Sequence, residues 1–220
     1  KHDPQLRTYV INLLQGRYLD FGPTLASEKL QEYHNITISK ETLRQWMLQD
    51  QLPFKTRRKS KNTHQSRARR SCFGELIQAD GSHHAWFEDR GPSCCLIVFI
   101  DDATSHVVAL KFVEQESLDA YIDTLREYIE RLGLPISIYT DKHAVFSVNA
   151  KDAVSGSGDT QYGRMLKELG IELILAHSPQ AKGRVERANG TLQDRLVKEL
   201  RLRGINDIAA ANKFLESYRN

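Results

Sequence analysis

The sequence predicts an α/β fold, in which helices flank a mixed sheet of five strands, preceded by a small all-helical unit. Three short amphipathic segments with helical spacing fill residues 3–50. From residue 72, three predicted strands follow one another through short turns, and helices and strands then alternate. This order of elements is typical of a mixed sheet with helices packed on it. The 220 residues, 40% of them hydrophobic, are enough for one large or two unequal domains.

The helical segments predict a helix-turn-helix DNA-binding domain over residues 1–54. We expect Thr24 to cap the second helix and Ser39 to cap the third. The third helix carries Arg44 and Gln45 on its polar side, and both residue types can hydrogen-bond to base edges. The alternative is a plain three-helix packing unit without a DNA-binding role.

A basic linker is predicted over residues 55–71. Residues 55–70 contain eight lysines and arginines and no acid, whereas residues 71–220 carry a net charge of −5. A one-sided run of this density favours contact with phosphates, although a solvated linker is the simpler alternative. The residues predicted to contact DNA here are Arg57, Arg58, Lys59, Arg69 and Arg70.

The α/β domain is predicted over residues 72–220. Apolar patterns place strands at 75–79, 94–100, 106–113, 136–140 and 171–175 and helices at 116–132, 161–169 and 180–203. A stretch rich in Ser, Gly and Asp at 147–160 predicts a loop. We expect the domain to continue beyond residue 220, because the chain stops within a helical pattern.

Several classes of protein are excluded or disfavoured by composition. No apolar run approaches the roughly 18 residues that a membrane span needs. The first residues do not begin a signal peptide, so we expect a cytoplasmic protein. Cys72, Cys94 and Cys95 have no metal-ligand spacing, and Cys94 and Cys95 fit reduced core residues better than a redox pair. No pattern indicates a small-molecule substrate.

Three acidic residues form the predicted catalytic centre. Asp80 follows the first predicted strand, Asp141 follows the fourth, and Glu186 lies in the last helix. Open α/β sheets place their sites at such strand ends. Three converging carboxylates call for bound cations, and oxygen ligands select Mg²⁺ or Mn²⁺. Two such ions, about 3.5–4 Å apart, would support an in-line phosphoryl displacement.

The last helix has an apolar stripe predicted to face the sheet, formed by Val185, Ala188, Leu192, Leu196 and Leu200. An adjoining polar stripe, predicted to look toward the strand ends, is formed by Lys182, Glu186, Asn189 and Gln193. Lys182, Arg184 and Arg187 are predicted DNA contacts, with a solvated helix face as the alternative. Helix propensity does not explain Gly183 and Gly190, whereas close approach of DNA or of a neighbouring element would.

Other polar residues are weaker candidates for the site. His143 is predicted to touch a scissile phosphate, with an ordinary strand-end histidine as the alternative. Alternation along an extended segment sends either His83 or His84 toward the sheet, with Trp86 packed beneath. Asp101 and Asp102 fit the turn of a hairpin better than a metal site.

The chain resembles the DDE core of bacterial insertion-sequence transposases, which are relatives of retroviral integrases with an RNase H-like fold. The resemblance rests on four segments: Gln78-Ala79-Asp80-Gly81-Ser82, Tyr139-Thr140-Asp141-Lys142-His143, Ser178-Pro179-Gln180 and Gly183-Arg184-Val185-Glu186-Arg187. It implies that Asp80, Asp141 and Glu186 are metal ligands and that the reaction is cleavage of DNA 3′ ends followed by strand transfer. It also implies element ends and target DNA as partners, action as a homo-oligomer on DNA, and location at a bacterial nucleoid.

Two features depart from the family pattern. Asp141 is followed by Lys142-His143 where many relatives read Asn-Gly, and the 44 residues between Asp141 and Glu186 exceed the usual spacing. Both features bear on which subfamily of these transposases the chain resembles, more than on the reaction that the resemblance implies. Two other functions remain open: a nuclease of the same fold that cuts without joining, and a DNA-binding regulator with a silent core.

Overall fold

The structure is a computed structural model that describes residues 3–54, 68–141, 160–176 and 183–218. The chain divides into two compact units, Lys1–Asn62 and Thr63–Asn220. None of the described helices is long and apolar enough to cross a membrane.

The first unit contains three helices, α1 (Pro4–Gln15), α2 (Pro23–His34) and α3 (Lys40–Gln49). Their buried faces supply Leu14, Leu30, Leu43 and Met47 to a small core, and the connection between α1 and α2 adds Tyr18 and Phe21. Ser39 caps α3 as predicted, its hydroxyl accepting a hydrogen bond from the amide of Thr42 at 3.1 Å. The predicted Thr24 cap is wrong, because α2 begins at Pro23 with Gly22 as its N-cap. Proline suits the first helical position, where its missing N–H costs nothing.

The second unit is built on a five-stranded mixed sheet, as predicted. Its strands are β1 (Ile77–His84), β2 (Cys94–Asp101), β3 (Val107–Val113), β4 (Ser137–Thr140) and β5 (Glu172–Leu175). Their order across the sheet is β3-β2-β1-β4-β5. The pairs β1–β2 and β2–β3 are antiparallel, and the pairs β1–β4 and β4–β5 are parallel.

Helices cover both faces of this sheet. They are α4 (Leu118–Leu132), α5 (Gln161–Glu168), α6 (Gly183–Leu202) and α7 (Ile208–Tyr218). One face forms a core with α4 and α5 that includes Phe99, Tyr121, Leu125 and Tyr162. The other face forms a core with α6 and α7 that includes Phe112, Val185, Leu192, Leu196, Leu200 and Leu215. The apolar stripe predicted for α6 therefore faces the sheet, and every residue of β2 is buried.

Strand β1 is longer than the predicted strand 75–79. It runs to His84 because the antiparallel ladder with β2 continues to the pair His84–Cys94. The sequence predicts Asp80 just after the end of this strand. In the structure Asp80 lies within β1. The chain turns at Gly204, whose φ of 65° is in the left-handed region that glycine adopts readily. This turn separates α7 from α6. The predicted loop 147–160 lies outside the described residues except for Thr160, which caps α5.

Candidate active site

The register between the parallel strands β1 and β4 relates the positions of Asp80 and Asp141. β1 pairs with β4 in the register Ile77–Ile138 and Gln78–Tyr139. The same register carried two residues further puts Asp80 level with Asp141, the first residue after β4. Neighbouring strands are about 4.8 Å apart. Both aspartates are partly exposed, so this edge of the sheet offers two adjacent carboxylates to a ligand.

Helix α6 packs along the face of β1 that carries the Asp80 side chain. It donates one hydrogen bond per helical turn to side chains of this strand. From the start of the helix, the Val185 amide donates to Gln78 Oε1 (3.2 Å), Asn189 Nδ2 donates to Asp80 Oδ2 (2.8 Å), and Gln193 Nε2 donates to Ser82 Oγ (3.0 Å). The three acceptors alternate along the strand and therefore share one face. For Asn189 and Gln193, the prediction that the polar stripe of α6 looks toward this edge is confirmed.

Glu186 lies in the first turn of α6, three residues before Asn189. Residues three apart on a helix are neighbours on its surface, so Glu186 adjoins the residue that holds Asp80. Its side chain is exposed. Among the described residues, the His, Cys, Asp and Glu side chains that group within 4.8 Å of one another are His83, Cys95 and Glu116, and not the predicted triad.

The donor set around Asp80 suits a hard divalent cation. Oxygen ligands dominate here, as Mg²⁺ and Mn²⁺ prefer. Asn189 also presents a buried Oδ1 that has no hydrogen-bond partner among the described residues. A buried acceptor with no protein partner, beside a carboxylate, is what a cation or a water held by it would satisfy. Asp80, Asp141 and Glu186 could therefore hold such an ion if the exposed Glu186 side chain turns toward Asp80.

A buried polar network, not found from the sequence, holds the start of α6. Asp102 is fully buried, and its carboxylate accepts hydrogen bonds from Arg184 Nη1 at 2.7 Å and Gln78 Nε2 at 2.8 Å. It also accepts one from the Arg70 amide at 2.9 Å. Asp102 does lie in the β2–β3 turn, as predicted, but its carboxylate ties that turn to β1 and to the helix that carries Glu186. The sequence signal for it was a pair of acids, Asp101 and Asp102, at the end of the apolar run 94–100.

Relatives of this chain are transposases by name. No model of a protein family matches it. A protein of Sinorhizobium fredii named as a transposase, y4bF, is 52% identical over 213 residues, which are 97% of this chain and 46% of that protein. The transposase for insertion sequence IS1202 of Streptococcus pneumoniae is 44% identical over 161 residues, 72% of this chain and 34% of that protein. The chain belongs to this transposase family. It spans less than half the length of these two relatives.

Solved structures resemble this chain in fold. A chain of a simian T-cell lymphotropic virus intasome, in complex with a PP2A regulatory subunit, matches with a TM-score of 0.50 at 18% identity. The match covers 84% of this chain and 65% of that one. The HTLV-2 integrase catalytic core, solved with magnesium, has a TM-score of 0.48 at 19% identity and covers 66% and 84% of the two chains. The mixed five-stranded sheet and the match to the intasome chain confirm the predicted RNase H-like fold.

The residues predicted to contact DNA differ in their exposure and in their partners. Arg44 and Gln45 both donate to Glu41, at 2.7 and 2.9 Å, and these hydrogen bonds lower the pKa of Glu41 to about 2. Arg187 is exposed, with its Nε donating to the Gly183 carbonyl at 2.7 Å. Arg184 is different: its side chain is only 10% exposed and is paired with Asp102, so we do not count it among the candidate DNA contacts.

The remaining predicted DNA contacts are five residues of the linker, together with His143 and Lys182. Arg69 donates to the Ala103 carbonyl at 3.2 Å, and Arg70 pairs with Glu75 at 3.3 Å. The predicted contacts Arg57, Arg58, Lys59, His143 and Lys182 lie outside the described residues.

The two histidines after Asp80 lie on opposite sides of β1. His84 packs edge-on against the buried Trp86, with ring centroids 5.3 Å apart. His83 is exposed, and its Nε2 lies 3.2 Å from Glu116 Oε2. Cys94 and Cys95 are buried free thiols, as predicted. Burial raises the pKa of Cys94 to about 11 and, more strongly, that of Cys95 to about 12.

Proposed function

We propose that this transposase chain carries the catalytic core that cleaves DNA 3′ ends and transfers them into target DNA. In this proposal Asp80, Asp141 and Glu186 hold two divalent cations, Mg²⁺ or Mn²⁺. One observation supports it above the others: Asp80 is level with Asp141 and is hydrogen-bonded by the helix that carries Glu186.

Each acidic residue has a distinct part in this proposal. The two aspartates offer carboxylates from neighbouring strands, and Asn189 orients one of them through its bond to Asp80 Oδ2. Glu186 completes the ligand set from the first turn of α6, where its exposed side chain has rotational freedom. Bound divalent cations supply Lewis acidity at the phosphate and activate the attacking oxygen. The attacker is water in cleavage and a DNA 3′-hydroxyl in joining.

The helical unit supplies recognition in this proposal. Helix α3 presents Arg44 and Gln45 to base edges, after their hydrogen bonds to Glu41 are exchanged for bonds to DNA. That exchange costs little, because a solvent-exposed ion pair contributes little to stability. The basic linker adds contacts to phosphates. The partners are element ends and target DNA, and the protein acts on them as a homo-oligomer in the bacterial cytoplasm.

The test is incubation of the purified protein with labelled element ends, target DNA and Mn²⁺. Products joined to target DNA support the proposal. Cleaved but unjoined ends indicate a nuclease, and a shifted but uncut band indicates a regulator.

The linker is expected to govern the salt dependence of DNA binding. Replacing Arg57, Arg58 and Lys59 with Gln should weaken binding and reduce the slope of log K against log salt by about 1 for each phosphate that the protein then leaves unneutralised. The matched control replaces three basic residues at exposed positions of the second unit, Arg126, Lys167 and Lys213. It changes the net charge equally and should leave the slope near that of the unaltered protein. Equal slopes in both triple variants would mean that the run is only a linker.

Gly190 gives a second check of the DNA-facing surface. A Cβ built there meets nothing within 4 Å in the described structure, so no neighbouring element explains this glycine. Gly190→Ala should raise the free energy of unfolding by about 0.5–1 kcal/mol, because alanine is the better helix former. If DNA approaches this turn of α6, the same variant binds element ends several-fold more weakly. Thr191→Ala is the neighbouring control, and unchanged affinity in Gly190→Ala would remove this turn from the DNA surface.

A further inference from the structure

A second cluster of metal-binding side chains lies across β1 from the carboxylate site. His83 and Cys95 are directly paired across the β1–β2 ladder, and Glu116 follows β3 ahead of α4. One nitrogen, one sulfur and one carboxylate oxygen from these three residues all lie within 4.8 Å of one another. Because successive strand residues alternate, His83 and Gly81 face the α4 side of the sheet, whereas Asp80 faces α6.

The Glu116 carboxylate is held in place by its surroundings. The Tyr121 hydroxyl donates to Oε1 at 2.6 Å, which leaves Oε2 beside His83 Nε2 at 3.2 Å. A Cβ on residue 81 would come within 2.5 Å of the Glu116 carboxyl carbon, so Gly81 provides the room that the carboxylate occupies. The position of Glu116 therefore depends on both a hydrogen bond and a glycine, which is more than a chance approach of exposed acids.

We propose that His83, Cys95 and Glu116 bind a zinc-like divalent cation. Zinc takes nitrogen, thiolate and carboxylate ligands at about 2.0–2.3 Å, and its tetrahedral ligands are then roughly 3.3–3.8 Å apart. His83 Nε2 and Glu116 Oε2 are already 3.2 Å apart, and side-chain rotation within the cluster would bring the Cys95 sulfur to a similar distance from both. A set with a thiolate and an imidazole disfavours Mg²⁺ and Mn²⁺, which prefer oxygen ligands. This site is therefore chemically distinct from the carboxylate site and does not depend on the proposed function.

The burial of the three residues shows how the ion enters. The Cys95 side chain is fully buried, the Glu116 side chain is 12% exposed and that of His83 is 65% exposed. The ion thus approaches from the His83 side, where the fourth coordination position is open to water. When the sulfur–metal bond forms, the thiol proton leaves to solvent. The bound ion cross-links β1, β2 and the segment before α4, and raises the Tm of the second unit.

Cobalt is the probe of choice, because a cobalt–thiolate bond gives a charge-transfer band in the near ultraviolet. The protein carries Cys72→Ser in all samples, since Cys72 is exposed and would bind cobalt on its own. We expect the band to appear on titration with Co²⁺, to be displaced by Zn²⁺ and to survive excess Mg²⁺. Absence of a thiolate band in this protein would overturn the proposal.

Matched variants assign the band to these residues. Cys95→Ala should abolish it, and His83→Gln, at a position whose side chain is 65% exposed, should weaken Co²⁺ affinity at least tenfold. Gly81→Ala should weaken it as well, although it removes no ligand, because its methyl group displaces Glu116. Cys94→Ala and His84→Gln are the neighbouring controls and should keep the band.

Failure of this site and failure of the proposed function are separable. Asp80→Asn alters the carboxylate site and should leave the cobalt band intact. A band that persists in Cys95→Ala, or an affinity unchanged in His83→Gln, would show that the metal binds elsewhere.

Discussion

Replacing Asp80 or Asp141 with Asn, or Glu186 with Gln, is expected to abolish both cleavage and joining of DNA. Each change removes a negative oxygen ligand but keeps the size of the side chain, so cation binding is lost while the fold persists. We expect rates to fall on the order of 10³-fold or more in each variant. Binding of element ends should survive, because recognition is assigned to residues 1–71.

Two exposed carboxylates serve as controls for these variants. Asp119→Asn in α4 and Glu168→Gln in α5 change charge equally at exposed positions of the same unit and should cut DNA at close to the unaltered rate. Calorimetric titration with Mn²⁺ gives a second readout that does not require DNA. If Glu186→Gln cleaves DNA and binds Mn²⁺ like the unaltered protein, Glu186 is not a ligand and the triad must be abandoned.

The order of the secondary structure elements up to α6, though not the separate helix α7, could be predicted from the sequence, because apolar periodicity is a local signal. The meander β1–β3, the helix α4 and the apolar stripe of α6 each follow from residues close in the chain. The end of β1 could not be predicted from the sequence. Gly81, Ser82, His83 and His84 are not typical strand residues, and they are extended because the apolar strand β2 needs a partner along its whole length.

In the candidate site, too, the residues of local motifs could be predicted from the sequence, whereas contacts between distant parts of the chain could not. Motifs pointed to Asp80, Asp141 and Glu186, but whether the aspartates lie level depends on the β1–β4 register, which no local pattern encodes. The Asp102–Arg184 pair joins residues 82 positions apart. The sequence alone therefore predicted Arg184 as a DNA contact, whereas the structure pairs its side chain with the buried Asp102 carboxylate. Likewise, His83, Cys95 and Glu116 come from three separate elements and share no sequence spacing.

The pair between Asp102 and Arg184 leads to the second large expected effect, on stability. Asp102→Ala leaves the Arg184 guanidinium, only 10% exposed, without its buried partner. It also removes the acceptor used by Gln78 and by the Arg70 amide. Breaking a buried pair by removing one partner typically costs about 3–5 kcal/mol, far more than an exposed pair contributes. We therefore expect the free energy of unfolding of the second unit to fall by about that amount.

The measurement must report on the second unit alone. The chain has two tryptophans, and Trp46→Phe leaves Trp86, buried beside Phe112, as the only tryptophan. Its fluorescence during urea denaturation then follows the unit that contains Asp102. Asp89→Ala, at an exposed position, is the control and should change the free energy of unfolding by no more than about 0.5 kcal/mol.

A double variant separates the cost of an orphaned charge from the value of the pair itself. Arg184→Met should also destabilise, because the fully buried Asp102 carboxylate loses its cationic partner and keeps only neutral donors such as Gln78 and the Arg70 amide. Combined with Asp102→Ala, it should cost less than the sum of the two single changes, because neither charge then remains buried without a partner. Additive losses would mean that the two charges do not interact. The network would then not hold the first turn of α6, and the placement of Glu186 beside Asp80 would have to rest on the contacts of Asn189 and Gln193 alone.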